Sequence, residues 1–253
     1  IRGLVGSEMC IRDRVRQGKT VVHYTLELNE SYVGLRYDTV FSGTPTANIK
    51  YYQEDVQKTI DKLKGKLIIK YYPTRSATVN TLASHLKQME IQEIKPDAVI
   101  VDYADILKPT TFYKEKRHAT GETYENLRGI AGEFDIPIWT ASQANRSSLE
   151  EDVIDATKVA EDYSKVMTAD FVMSVSRKVE DKIANTGRFH VIKNRFGIDG
   201  ITFPANINTN TGLIEVYEAS TQGGKEAQGK MDNSEEYLRQ TLSKKYKDMG
   251  GFE

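Results

Sequence analysis

Five side chains stand where their type and spacing could handle a phosphate group. Asp102 closes the run D-A-V-I-V-D-Y-A (97–104), in which four apolar residues follow one another without a polar break. A short β-branched run of that kind fits a strand buried on both faces, and a carboxylate at its C-terminal end faces the crevice where α/β sheets take ligands. There it could hold a magnesium ion, directly or through water; the alternative is a plain capping aspartate. Glu27, in T-L-E-L (25–28), ends another β-rich run and could orient and deprotonate a water, or simply favour the start of the next helix. Gln143, in S-Q-A-N-R (142–146), is an uncharged donor able to bond a phosphate oxygen, or else a loop amide bonded to backbone. Lys193 and Arg195, in K-N-R-F-G (193–197), are two cations on a turn, able to neutralise transferring phosphate or merely solvated.

The elements that must carry these groups follow from periodicity. Strands are expected at 20–28, 66–72, 98–102, 136–141 and 171–176, with a hairpin from 189–193 and 200–204 and a last strand at 213–217. Helices are expected at 30–41, capped by Asn29, at 49–63, ended by Gly65, at 79–94, capped by Thr78, and at 122–134, with a short one at 157–167. Two loops stand out. One, 108–120, holds the basic run Lys114-Glu115-Lys116-Arg117-His118; the other, 145–156, starts with Asn145-Arg146 and turns acidic. The alternation predicts an α/β fold with a mostly parallel central sheet flanked by helices, ending in a hairpin-rich portion. Residues 219–253 read as a flexible linker and charged tail, with a possible helix over 233–247.

Composition narrows the classes. Formal net charge is -1, so any basic surface must be local. One cysteine, Cys10, excludes an internal disulfide framework, and four scattered histidines (His23, His85, His118, His190) make a zinc site implausible. No run approaches the ~20 apolar residues of a membrane span. Residues 1–14 show no strand or helix period. They resemble translated sequencing-adaptor readthrough, so a non-native or disordered segment is expected there, with native sequence from about Val15. Gly18-Lys19-Thr20 imitates the end of a phosphate-binding loop, but Asp13 stands where G-x-x-x-x-G-K-[ST] needs its first glycine, and a strand follows where a helix should.

Five segments in order, T-L-E-L, A-V-I-V-D-Y, T-A-S-Q-A-N-R, A-D-F-V-M-S-V-S-R and K-N-R-F-G-I-D-G, resemble the RecA-type motor domain of DnaB-like replicative helicases, especially phage versions, over about residues 18–217. The resemblance implies a RecA-like core in a hexameric ring that uses ATP and Mg²⁺ to move along single-stranded DNA and part the duplex, in the cytoplasm, with primase and a helicase loader as further partners. It implies Glu27 as catalytic glutamate, Asp102 as the magnesium-binding aspartate and Gln143 as γ-phosphate sensor. It also implies Lys193 and Arg195 as fingers into the adjacent subunit's site, and DNA contacts from Lys114, Lys116, Arg117 and Arg146. The family's phosphate-binding loop has no counterpart among these residues. The chain alone is therefore expected to be inactive, with part of its sheet uncovered and poorly stable. A recombinase-like or clock-type RecA ATPase and a non-catalytic DNA-binding or ring-assembly module remain the alternatives.

Overall fold

A computed structural model describes residues 5–144, 151–156 and 163–233, together with 236 and 243. Two compact units emerge. The first holds residues 1–143, 159–169 and 210–212; the second holds 144–158, 170–209 and 213–253.

The first unit is a parallel sheet of four strands, β1 (Thr20–Thr25), β2 (Lys66–Tyr71), β3 (Ala98–Asp102) and β4 (Ile138–Thr140), in the order β2-β1-β3-β4. Every residue of β3 is buried, as its unbroken apolar run predicts. Alternate residues of β1 serve opposite faces. Val22, Tyr24 and Leu26 pack with Val79, Leu82 and Leu86 of α4 (Val79–Ile91) and with Leu127 and Ile130 of α5 (Lys116–Phe134). Val21 packs with Val33, Tyr37 and Phe41 of α2 (Glu30–Ser42) and with Ile11 and Val15 of α1 (Val5–Arg16). Helices thus pack on both faces of β1 and β3, whereas the edge strand β4 is not fully covered: none of its residues is buried, and Trp139 is 40% exposed. Helix ends follow the sequence signals: Asn29 Oδ1 accepts from Tyr32 N, and Thr78 and Thr81 form a reciprocal capping box.

Four expectations need correction. The stretch at 1–14, expected to be non-native or disordered, contains most of α1, whose Ile11 is fully buried, so the disordered alternative does not hold for the described residues; two apolar residues four apart suffice once a sheet is there to receive them. The helix expected at 49–63 is a 3₁₀ turn (Thr46–Tyr51) followed by α3 (Gln53–Asp61). The helix expected from Glu122 begins at Lys116, because its buried stripe already starts at Ala119 and Thr120 and continues through Thr123, Tyr124, Leu127 and Ile130. The tail expected to be a flexible linker forms α8 (Gln222–Asp232), capped by Thr221 and burying Gly224, Ala227 and Met231 at three- and four-residue steps. Gly224 lets that helix close on the chain before it: a Cβ there would collide with the Glu218 carbonyl. The helix expected at 157–167 is seen as the short α6 (Ser164–Thr168), and most of 233–247 lies outside the described residues.

The second unit is an antiparallel meander of β5 (Phe171–Ser176), β6 (Thr186–Asn194), β7 (Thr202–Asn208) and β8 (Leu213–Val216), with α7 (Val179–Ala184) and α8 beside it. The β6–β7 pairing confirms the predicted hairpin. Buried Asp181 anchors its base, accepting from Arg188 Nη1 (2.7 Å), Lys178 N (2.9 Å) and Thr186 Oγ1 (3.2 Å). Among the described residues no helix is long and apolar enough to cross a membrane.

Candidate functional site

The strand order creates the site. From β1 the chain runs to β2 on one side, and from β3 it runs to β4 on the other, so the connections part above β1 and β3. A crevice at the carboxyl ends of two such strands is where open α/β sheets receive ligands. Thr25 of β1 lies in register with Asp102 of β3, and Leu26 N donates to the Asp102 carbonyl at 2.9 Å. Glu27 follows immediately on an exposed bend, two residues beyond the strand that was expected to include it. Asp102 and Glu27 therefore flank the same crevice.

Their charges feel each other. Burial raises the Asp102 carboxyl above its ordinary value; the Arg36 cation opposes that shift, and the Glu27 carboxylate adds to it. An ionised, largely buried carboxylate beside a second carboxylate is a fitting seat for a divalent cation, whose charge offsets both penalties. The raised value has a direct consequence. Stability from this group is complete below the unfolded value near 3.8 and is lost as pH rises through the folded value. Asp102→Asn is therefore expected to unfold at higher temperature than the parent at pH 7, with the gain vanishing below about pH 4. Parallel thermal scans across that range check this.

Gln143 reaches the same edge from β4. Val101 pairs with Thr140, after which the two strands diverge. Thr140 Oγ1 stitches the exits together, donating to Val101 O and accepting from Ala104 N, each at 2.9 Å. Three residues on, Gln143 Nε2 donates to Tyr103 Oη at 3.2 Å, beside Asp102. The uncharged amide thus bonds the side chain of the residue that follows Asp102, without adding charge.

Sequence reasoning missed two features. His23, treated there only as one of four scattered histidines, is 2% exposed, with Nε2 3.9 Å from Asp102 Oδ2 and Nδ1 2.7 Å from Tyr37 Oη. Burial, helped by the Arg36 charge, lowers its pKa to about 4, so the ring is neutral at pH 7. Its position on the alternate face of a buried strand, between Val21 and Thr25, was the available signal. The second is a cluster in which buried Lys165 and Tyr124 and half-buried Asp105 meet the exposed Ser142, next to Gln143. Lys165 lies in a polar segment whose apolar pattern is too short to reveal an inward face.

In the second unit, Lys193 pairs with Val172 across β5 and β6. Arg195 follows the strand; its Nη1 lies 2.7 Å from Asp170 Oδ1, and its backbone N donates to Asp170 O at 2.9 Å. The guanidinium is thus partly exposed and engaged within its own chain. The basic run at 114–118 was expected to be a loop. Lys114 is in that exposed loop, but Lys116, Arg117 and His118 open α5, and Arg117 Nε pairs with Glu115 Oε2 at 2.6 Å. Arg146 lies outside the described residues. Among the described residues no group of three or more His, Cys, Asp or Glu side chains gathers to hold a metal. An ion at Asp102 would need water or substrate oxygens for most of its shell.

Comparisons with known proteins bear on the family and the fold. The family model described as DnaB-like helicase C terminal domain matches residues 7–206. The chain is 28% identical over 197 residues to the DnaB-like replicative helicase of Enterobacteria phage T4, covering 73% of this chain and 42% of that protein. It is 25% identical over 200 residues to a probable plasmid replicative DNA helicase of Chlamydia psittaci, covering 72% of this chain and 42% of that protein. The chain thus spans less than half the length of these curated relatives. Among solved structures it is similar in fold to one described as an ATPase domain, with a TM-score of 0.70 at 17% identity, covering 85% of this chain and 81% of that one. It is also similar to a DnaB-like replicative helicase described with its interactions with primase, with a TM-score of 0.72 at 17% identity, covering 85% of this chain and 54% of that one. A RecA-like parallel sheet with an acidic crevice at its switch point, matched by the family model over most of its length, means that this chain belongs to the DnaB-like helicase C-terminal domain family.

Proposed function

We propose that this chain is the motor domain of a replicative DNA helicase, coupling ATP hydrolysis to movement along single-stranded DNA within a ring of identical subunits. What supports the reading is the strand register, which sets the exits of β1, β3 and β4 side by side; Glu27, Asp102 and Gln143 stand at or just after those exits in the chain, with Gln143 bonded to Tyr103. Asp102 is the residue that would hold Mg²⁺, which when bound would supply positive charge against the phosphates. Glu27 orients the attacking water and takes its proton. Gln143 donates its amide to the γ-phosphate, and its bond to Tyr103 sets the resting position from which it does so. Lys193 and Arg195 serve a neighbouring subunit's site, for which Arg195 exchanges Asp170 for phosphate oxygens. Lys114, Lys116, Arg117 and Arg146 are assigned to contacts with the DNA backbone, which supply affinity that falls with salt.

One part is missing from these residues: nothing among them matches G-x-x-x-x-G-K-[ST], the loop whose backbone amides cradle the phosphates. The 253-residue chain by itself is therefore expected to turn over ATP no faster than buffer. With a phosphate-binding strand, loop and helix grafted ahead of Gly18, it is expected to gain Mg²⁺-dependent turnover that single-stranded DNA stimulates and EDTA abolishes. A phosphate-release assay on both proteins tests this. A graft that binds nucleotide but never hydrolyses it with DNA and Mg²⁺ present would leave the reading without support.

A further inference from the structure

The proposed chemistry makes no use of the most deeply buried cation near the site. Lys165, on α6, has a side chain 3% exposed, and that of its partner Asp105 is 10% exposed. The ammonium donates to Asp105 Oδ2 at 2.8 Å and to Ser142 Oγ at 3.0 Å. Ser142 Oγ in turn donates to Asp105 Oδ2 at 3.3 Å, and Tyr124 Oη donates to Asp105 Oδ1 at 2.9 Å. The ammonium also lies 5.6 Å from the centre of the Tyr124 ring. Four separate segments meet here: the turn after β3, helix α5, the exit of β4, and α6. Burying such a pair gains little stability over well-packed apolar side chains, so stability alone is a weak reason for it.

Its location supplies a better one. Asp105 is three residues beyond Asp102, and Ser142 immediately precedes Gln143. The strand ladder between β3 and β4 ends at Val101 and Thr140. Beyond it, the two exits are tied by side chains: Thr140 to Ala104 N, Gln143 to Tyr103, and Ser142 to Asp105 and Lys165. The last of these ties is the one that carries full charge.

We infer that Lys165 is a positioning residue: its ammonium holds Ser142 against Asp105 and thereby sets where Gln143 stands relative to Asp102. Its consequence for hydrolysis rests on the proposed roles of Gln143 and Asp102; the positioning itself does not. The placement also bears on coupling. The chain leaves the site at Gln143 and comes back at Lys165, while the loop leading to Lys114 departs just after Asp105. Movement of the segment after Asp105 therefore reaches Ser142 and Gln143 through these side-chain ties, of which the one to Lys165 carries the ammonium.

The test separates positioning from stability and needs no nucleotide. Hydrogen exchange and thermal unfolding are measured on the 253-residue chain, on Lys165→Met, and on Lys165→Met combined with Asp105→Leu. The single variant strands a buried carboxylate and is expected to melt early. The double variant removes both charges and is expected to recover most of the melting temperature. Positioning predicts that the bonded amides of Ala104 and Ile106 still exchange about tenfold or more faster than in the parent, while β1 and α4 keep their protection. If the single variant does not fold, the double variant against the parent decides. If the double variant restores parental exchange at Ala104 and Ile106, or loosens only α6, Lys165 is an ordinary structural ion pair and the inference falls. Neither result depends on whether the chain proves to be a helicase motor, which the phosphate-release assay decides separately.

Discussion

Glu27→Gln is expected to lower the turnover of the loop-grafted protein by about two to four orders of magnitude, the range general-base removal commonly costs. Glutamine keeps the size and the acceptor oxygen of glutamate, so the bend after β1 is preserved. What it loses is the ability to take a proton from water. Glu27 is exposed on that bend, and its charge is felt by the buried Asp102, which places it beside the metal seat rather than in it. Nucleotide affinity is accordingly expected to change by no more than about threefold, because an interaction made only in the transition state lowers turnover without weakening the ground-state complex. Asp102→Asn is expected to differ in kind, weakening Mg²⁺-nucleotide binding as well as turnover. Paired measurements of nucleotide affinity by fluorescence titration and of single-turnover hydrolysis distinguish the two. Turnover of Glu27→Gln within tenfold of the parent would remove Glu27 from the catalytic role and point to another base.

The second large effect is on stability in acid. The folded chain holds His23 neutral down to about pH 4, whereas an unfolded histidine takes its proton near 6.5. A lowered folded value means that stability is fully present above 6.5 and is lost as pH falls towards 4. The gap corresponds to a loss on the order of 3 kcal/mol. Arg36, Asp102 and Tyr37 are the groups that face or influence the ring. Asp102 acts in the opposite sense, since its raised value returns stability as pH falls through it. The wild-type slope is therefore the difference of the two, and a variant is needed to separate them. His23→Phe leaves Tyr37 Oη without its partner at every pH, a constant offset. It should lose less stability than the parent between pH 6.5 and 4, by roughly the same 3 kcal/mol. Urea unfolding at half-unit pH steps reads this as two curves that converge in acid. Curves that stay parallel would mean that His23 takes its proton in the folded chain as readily as in the unfolded one.

How much of this was legible beforehand depended on the kind of signal. The β3 run announced itself because a strand buried on both faces has no polar interruptions, and Asp102 ends it in the structure as in the sequence. Asn29 and Thr78 were legible because capping is local chemistry between a side chain and amides two or three residues away. The hairpin of β6 and β7 was legible for the same reason. Helices α1 and α8 were not. Their buried faces rest on few apolar residues, Ile11 and Val15 in one, Ala227 and Met231 in the other, and a glycine does part of the packing in α8. Periodicity cannot find a face that only a partner surface defines.

The amino-acid sequence by itself determined the parallel α/β class, the strand that delivers Asp102 and the family, because these rest on local patterns and on five motifs in order. It also determined which residue types were on hand for phosphate chemistry. Only the tertiary structure decided what stands beside them. The order β2-β1-β3-β4 brings Glu27 to Asp102, and the stitch at Thr140 brings Gln143 to Tyr103. Chain folding alone puts neutral His23 beneath the carboxylate and Lys165 behind the amide. The physical reason is range: periods and caps act within a few residues, whereas desolvation and charge pairing depend on what approaches from roughly 60 or 80 positions away, and nothing local encodes that approach.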